Sequence, residues 1–169
     1  MNRVQVSTLE DPPPEWVGSL KNYVLKILAC LGMDKWDLSV FLCDDETITG
    51  LNSRYRGKAQ ATDILSFVLE EGERFPSGGS RHLPGDIVIS LDSLRENAGR
   101  FKTGEDEELR RLLIHGILHL DGMEHSDSIL SADEMPAGNP MLALQEEILS
   151  RLNGNIIPHG GKNEEPFST

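Results

Sequence analysis

Val4, Val6 and Thr8 alternate with polar residues and predict a short opening strand, after which Pro12, Pro13 and Pro14 form a stiff link. From Trp16 to Leu31, apolar residues recur at Val17, Leu20, Val24, Ile27, Leu28 and Leu31. That is the period of one helix face, and Gly32 ends it. Leu38, Val40 and Leu42, alternating with Ser39, Phe41 and Cys43, predict an almost wholly apolar strand. Asp44, Asp45 and Glu46 then suit the positive end of a helix running over about residues 45–55. Thr62 to Leu69 predicts a further strand. A Gly-, Ser- and Pro-rich loop from Gly72 to Pro84 leads into a short buried one, Asp86 to Ser90, its neighbour in the sheet. Leu91 to Phe101 and Glu105 to Leu120 are helical by period. The second opens on four acidic residues, with Thr103 as its expected cap. Pro140 to Leu152 predicts the last helix. Past it the chain turns polar and Gly-rich, so the expected organisation is one domain over residues 1–153 and a disordered tail over 154–169.

Composition narrows this picture. The 169 residues are 38% apolar and 26% charged, enough for one domain with a core. The longest apolar block, Tyr23 to Leu31, is far short of a membrane span and is broken by Lys26. The first residues carry no basic-then-apolar signal pattern, so a cytoplasmic protein is expected. Cys30 and Cys43 are flanked by apolar residues and too far apart for a metal knuckle, which predicts reduced, buried thiols. The net charge of −12 is uneven: residues 1–102 hold 12 of the 16 Lys and Arg but only 15 of the 28 Asp and Glu. Such a chain repels nucleic acid overall, so any RNA function requires a local basic site.

The chemistry concentrates in His115-Gly116-Ile117-Leu118-His119-Leu120-Asp121-Gly122-Met123-Glu124-His125, which holds three of the five histidines. His115 and His119, four apart, share a helix face with Cβ atoms about 6 Å apart, so both can reach one metal ion. Gly122 can take the left-handed conformation that ends a helix, letting His125 return as a third ligand. Three imidazoles and an open position describe a catalytic zinc site, one ion with three His ligands and a water, although nickel and copper also accept imidazole. His82 and His159 fall in loop and tail and are given no role.

The spacing H-x-x-x-H-x-x-G-x-x-H also occurs in metzincin zinc proteases, which makes a metallopeptidase the first alternative. There a Glu after the first His acts as the base, and here that position is Gly116. No Met-turn is recognisable, although Met135 and Met141 exist. A second unusual segment, residues 52–67, carries Arg54, Arg56 and Lys58 in the otherwise acidic chain. A guanidinium offers planar, bidentate donors for a phosphate, and these three cations supply the local basic site. The opposing reading is a solvated helix end favoured by cations.

HGILHLDGMEH, with NSRYRGKAQATDILSF and the strand GDIVIS, resembles the bacterial YbeY family of endoribonuclease and ribosome-maturation proteins over about residues 36–152. The resemblance implies an α+β fold, a small mixed sheet with helices packed around it and a central metal-binding helix. It implies a zinc-dependent, single-strand-specific endoribonuclease in 3′-end maturation of small-subunit (16S) ribosomal RNA and in ribosome quality control. Its partners would be ribosomal RNA and the small ribosomal subunit, with neither DNA nor a membrane. By motif position His115, His119 and His125 become the metal ligands, and Arg56 the functional arginine. Two departures stand out: Met123-Glu124 where the family commonly has Tyr-Asp, and Lys58-Ala59-Gln60-Ala61 where it has Lys-Asp-Lys-Pro, which removes positive charge beside the expected RNA path. The general base is open, with Asp63, Asp86 and Glu124 as candidates by type. A third reading is a non-catalytic ribosome-associated zinc protein whose fourth ligand, such as Asp86, comes from a distant segment.

Overall fold

Four strands and five helices follow the apolar pattern, as seen in a computed structural model that describes residues 1–68, 83–123 and 139–158. Strand β1 (Arg3–Thr8) leads to helix α1 (Val17–Cys30), strand β2 (Trp36–Cys43) and helix α2 (Asp45–Arg56). Strands β3 (Ile64–Val68) and β4 (Leu83–Ser90) follow, then helices α3 (Leu91–Arg100), α4 (Glu105–Leu120) and α5 (Pro140–Arg151). The sheet order is β1-β2-β4-β3. β1, β2 and β4 run parallel, and β3 lies antiparallel on the outer side of β4, which makes the sheet mixed and the fold α+β. β4 begins at Leu83, earlier than the expected Asp86, because it pairs with the whole of β2, from Trp36 opposite Leu83 to Cys43 opposite Ser90.

The two sheet faces are unequal. One carries Leu38, Val40, Leu42, Ile87 and Ile89 into the main core with α1, α4 and α5. The other carries Cys43, Leu65 and Val88 into a small cluster closed by Ile48 of α2 and rimmed by Phe41, Leu51 and Phe67. Helix α4 sits directly on the main face because two glycines admit it. At Gly85 a Cβ would meet Leu120 side-chain atoms at 3.1 and 3.4 Å, and at Gly116 it would meet Ile64 Cδ1 at 2.8 Å, Ser66 Oγ at 3.1 Å and Ile87 Cδ1 at 3.2 Å. Interiors packed to crystal density have no room for those atoms.

Several local expectations change. Thr103 does not cap α4: Gly104 occupies the cap with extended backbone, and the buried Thr103 hydroxyl has no hydrogen-bond partner. The first turn relies instead on Glu105 to Glu108 facing the helix dipole. Asp44 does cap α2, its carboxylate accepting from Thr47 N at 2.8 Å, which lowers its pKa. Cys43 is buried, its thiol pushed up to about 12 by burial, with Asp44, Asp45 and Asp92 adding to it. Cys30 is exposed at the end of α1, contrary to expectation, because it lies off that helix's apolar face. Beyond α5 the chain docks back on α4. Ile156 is 2% exposed, and the Ile156 and Ile157 amides donate to Asp106 Oδ1 at 2.7 and 2.8 Å, so packing extends past residue 153. Among the described residues no helix is long and apolar enough to cross a membrane.

Candidate functional site

His115 and His119 project from one face of α4, and the helix stops just beyond them. Asp121 is the C-cap, Gly122 takes φ +93°, and the amides of Gly122 and Met123 close back on the carbonyls of His119 and Leu118. The two imidazole Nε2 atoms stand 3.1 Å apart, with the rings at 79°. Two ligands of one tetrahedral zinc, each at about 2.0–2.1 Å, lie about 3.3 Å apart, so the pair fits two corners of such a site. His125, the third expected ligand, lies outside the described residues, as do Glu124, His82 and His159. Among the described residues no group of three His, Cys, Asp or Glu is gathered to hold a metal.

What orients the pair comes from α5. Gln145, 6% exposed, places Oε1 2.8 Å from His115 Nδ1, while its Nε2 donates to Glu146 Oε2 at 3.2 Å. With the amide nitrogen so committed, Oε1 must accept. His115 therefore carries its proton on Nδ1 and presents a lone pair at Nε2. Glu146 is gripped in turn by Arg111, whose Nε and Nη2 donate to its two oxygens at 3.0 and 3.1 Å. Glu107 and Glu108 add ion pairs to Arg111 at 3.9 and 3.6 Å. Burial works against the Arg111 charge, but Glu146, Glu107 and Glu108 outweigh it and hold its pKa above the ordinary value. Burial likewise pushes against the Glu146 carboxylate, and Arg111 and Gln145 more than reverse it. A fork of this kind fixes α5 on α4 and the Gln145 amide with it. Sequence reasoning missed Gln145 and Glu146. Their only signal is their place in the last helix, which no spacing rule links to a histidine thirty residues earlier.

Gly116, between the two histidines in sequence, faces the sheet. A glutamate there would be driven into Ile64 and Ile87, so the base of the protease pattern has no place in this packing. Asp86 lies on β4 between Gly85 and Ile87, whose core-facing side meets α4, so Asp86 belongs to the opposite face and is no ligand of the pair. Asp63 is half-buried just before β3. Its Oδ2 accepts from Asn97 at 3.1 Å and its carbonyl from Ser90 N at 3.0 Å, which ties β3 to α3 and β4. Burial raises its pKa, and it raises that of Glu108 as well, where Arg111 opposes the shift and Asp63 adds to it.

Arg56 ends α2. Gly57 takes the left-handed conformation (φ +69°), Lys58 N returns to Asn52 O, and buried Asn52 donates from Nδ2 to Gln60 O at 2.9 Å. The turn after the arginine is therefore stapled. Arg56 itself is exposed, with Nη2 donating to Ser66 O at 3.3 Å and its guanidinium 5.8 Å from the Phe67 ring centre. Ser66 links the two regions, since its hydroxyl lies against Gly116 of α4 while its carbonyl holds Arg56 at the edge of the sheet.

A mixed sheet under a helix that pairs two histidines, with an arginine at the sheet edge, makes this a small α+β protein whose candidate site lies where α4 ends. The comparisons place it more closely. Residues 10–153 match the family model described as Endoribonuclease YbeY, and the chain belongs to that family. A relative in Treponema pallidum, named Endoribonuclease YbeY, is 44% identical over 152 residues, covering 89% of this chain and 90% of its own. Its namesake in Treponema denticola is 42% identical over 163 residues, 92% of this chain and 97% of that one. The solution structure of TM1509 from Thermotoga maritima aligns with a TM-score of 0.55 at 25% identity, over 96% of this chain and all of the other.

Proposed function

We propose that this protein is a zinc-dependent endoribonuclease that cuts single-stranded RNA, acting in 3′-end maturation of small-subunit ribosomal RNA and in ribosome quality control in the cytoplasm. The observation that carries the reading is the His115–His119 pair, with His115 held by Gln145 so that its Nε2 lone pair points at its neighbour. His115, His119 and His125 would hold the ion. Zinc, when bound, supplies a Lewis acid that lowers the pKa of water toward about 7.

The chain's own groups do the rest. Gln145 keeps His115 in the tautomer that can ligate. Arg56, exposed at the sheet edge with a long hydrogen bond of 3.3 Å to Ser66 O, binds a phosphate oxygen of the substrate and offsets the charge that grows on it. The family's name and the cationic turn together support RNA as substrate, in a chain whose net charge of −12 otherwise disfavours it. The test sets zinc-loaded and chelator-stripped protein against a defined single-stranded RNA, with casein in parallel. RNA cleavage by the loaded protein alone, casein untouched, is the expected result. Casein cleavage would restore the peptidase. Bound zinc with both substrates intact would leave a ribosome-associated zinc protein.

A further inference from the structure

Tyr55 is 58% exposed, a large aromatic left in solvent although the small core cluster lies beside it. Its ring stands 5.4 Å from that of Phe67, tilted by 57°. Arg54 lies 5.6 Å from the Tyr55 ring centre, and Arg56 lies at a similar distance from Phe67. Val68, the last residue of the outer strand, is 53% exposed next to them. Two aromatic rings side by side, each with a guanidinium next to it, thus form a patch where the end of α2 meets β3, with Lys58 following in the stapled turn. An exposed tyrosine between arginines contributes little to folding. It has the composition of a platform that stacks unpaired bases while cations follow the phosphates.

We propose that Tyr55, backed by Phe67 and flanked by Arg54 and Arg56, is a base-stacking subsite for single-stranded RNA. The subsite rests on the ribonuclease reading and adds to it how the strand is held. Three observations favour RNA over a protein partner. The patch is cationic within a strongly acidic chain, its apolar part is centred on two aromatic rings in contact, and it joins the histidine helix through Ser66. A strand stacked on Tyr55 crosses the β3 edge at Arg56, beside the residue that packs on Gly116. Duplex RNA, whose bases are already stacked on one another, gains nothing from this platform.

The test is binding of a fluorescein-labelled single-stranded RNA by chelator-stripped protein, which separates binding from cleavage. Tyr55→Ala is expected to bind about 5- to 150-fold more weakly, the range for loss of one stacked base, and Tyr55→Phe to bind as the unaltered chain does. An oligomer of the same length with abasic sugars should bind both Tyr55→Ala and the unaltered chain equally. Tyr55 is exposed, so the variant should keep its melting temperature. Equal RNA binding by Tyr55→Ala and the unaltered chain overturns the subsite and leaves the ribonuclease reading intact. The same holds if the abasic oligomer loses affinity in parallel. An unaltered chain that binds no single-stranded RNA overturns both.

Discussion

His115 and Arg56 are each singled out by a motif, and the fold holds them in opposite ways. His115 is fixed by a buried amide, which is fixed by a carboxylate, which is gripped by a two-pronged arginine. Arg56 is exposed, and its guanidinium makes one hydrogen bond of 3.3 Å to a strand carbonyl, with an aromatic ring beside it. A group that must hold an ion in fixed geometry profits from such support, since every lost degree of freedom is spent before the ligand arrives. A group that must follow a flexible polyanion profits from reach. On the function proposed above, the histidine side would bind the ion and the arginine side the substrate.

The largest expected effect is on turnover. Arg56→Ala should lower RNA cleavage about 10²–10³-fold, the scale for losing one donor to a developing anion, while leaving zinc content unchanged. Cleavage at the unaltered rate would remove Arg56 from the mechanism, and loss of zinc would erase the division between the two sides. Gln145→Leu, which fills similar volume without the amide, should weaken zinc binding about 10–100-fold in competition with a chelating dye. Gln145→Glu, which restores an acceptor for the Nδ1 proton, should recover part of that. Affinity unmoved by Gln145→Leu would mean that the α5 support is only packing.

The smallest effect concerns pH. Burial raises the Asp63 pKa, so the folded chain holds this proton more tightly than the unfolded chain. Its contribution to stability is full below the ordinary carboxylate value of about 4 and is lost as pH rises through the folded value. Asp63→Asn should therefore melt higher than the unaltered chain at pH 7, and the two should converge near pH 4. A variant that melts lower at pH 7 would show that the Asp63 charge is wanted.

The parts of this molecule that sequence makes legible are those ruled by local periodicity. The α1 stripe, the alternation in β2 and the acidic start of α4 are visible because each residue's face follows from spacing alone. The histidine pair is legible for the same reason, being i and i+4 on one helix. What remains hidden depends on pairing between distant segments. The early start of β4 is set by the length of β2, the service of Gln145 to His115 by the docking of α5, and the burial of Ile156 by the Asp106 carboxylate. Gly116 reads as an absent base in the sequence, whereas in the fold it is the contact that lets α4 lie on β3 and β4.

The most direct test of the central claim is a zinc titration of the chelator-stripped chain that follows bound metal and single-stranded RNA cleavage in the same samples. Cleavage should rise in proportion to bound zinc and stop at one ion per chain, with His119→Ala flat in both measurements. Cleavage by the stripped chain, or by His119→Ala without bound zinc, would contradict it.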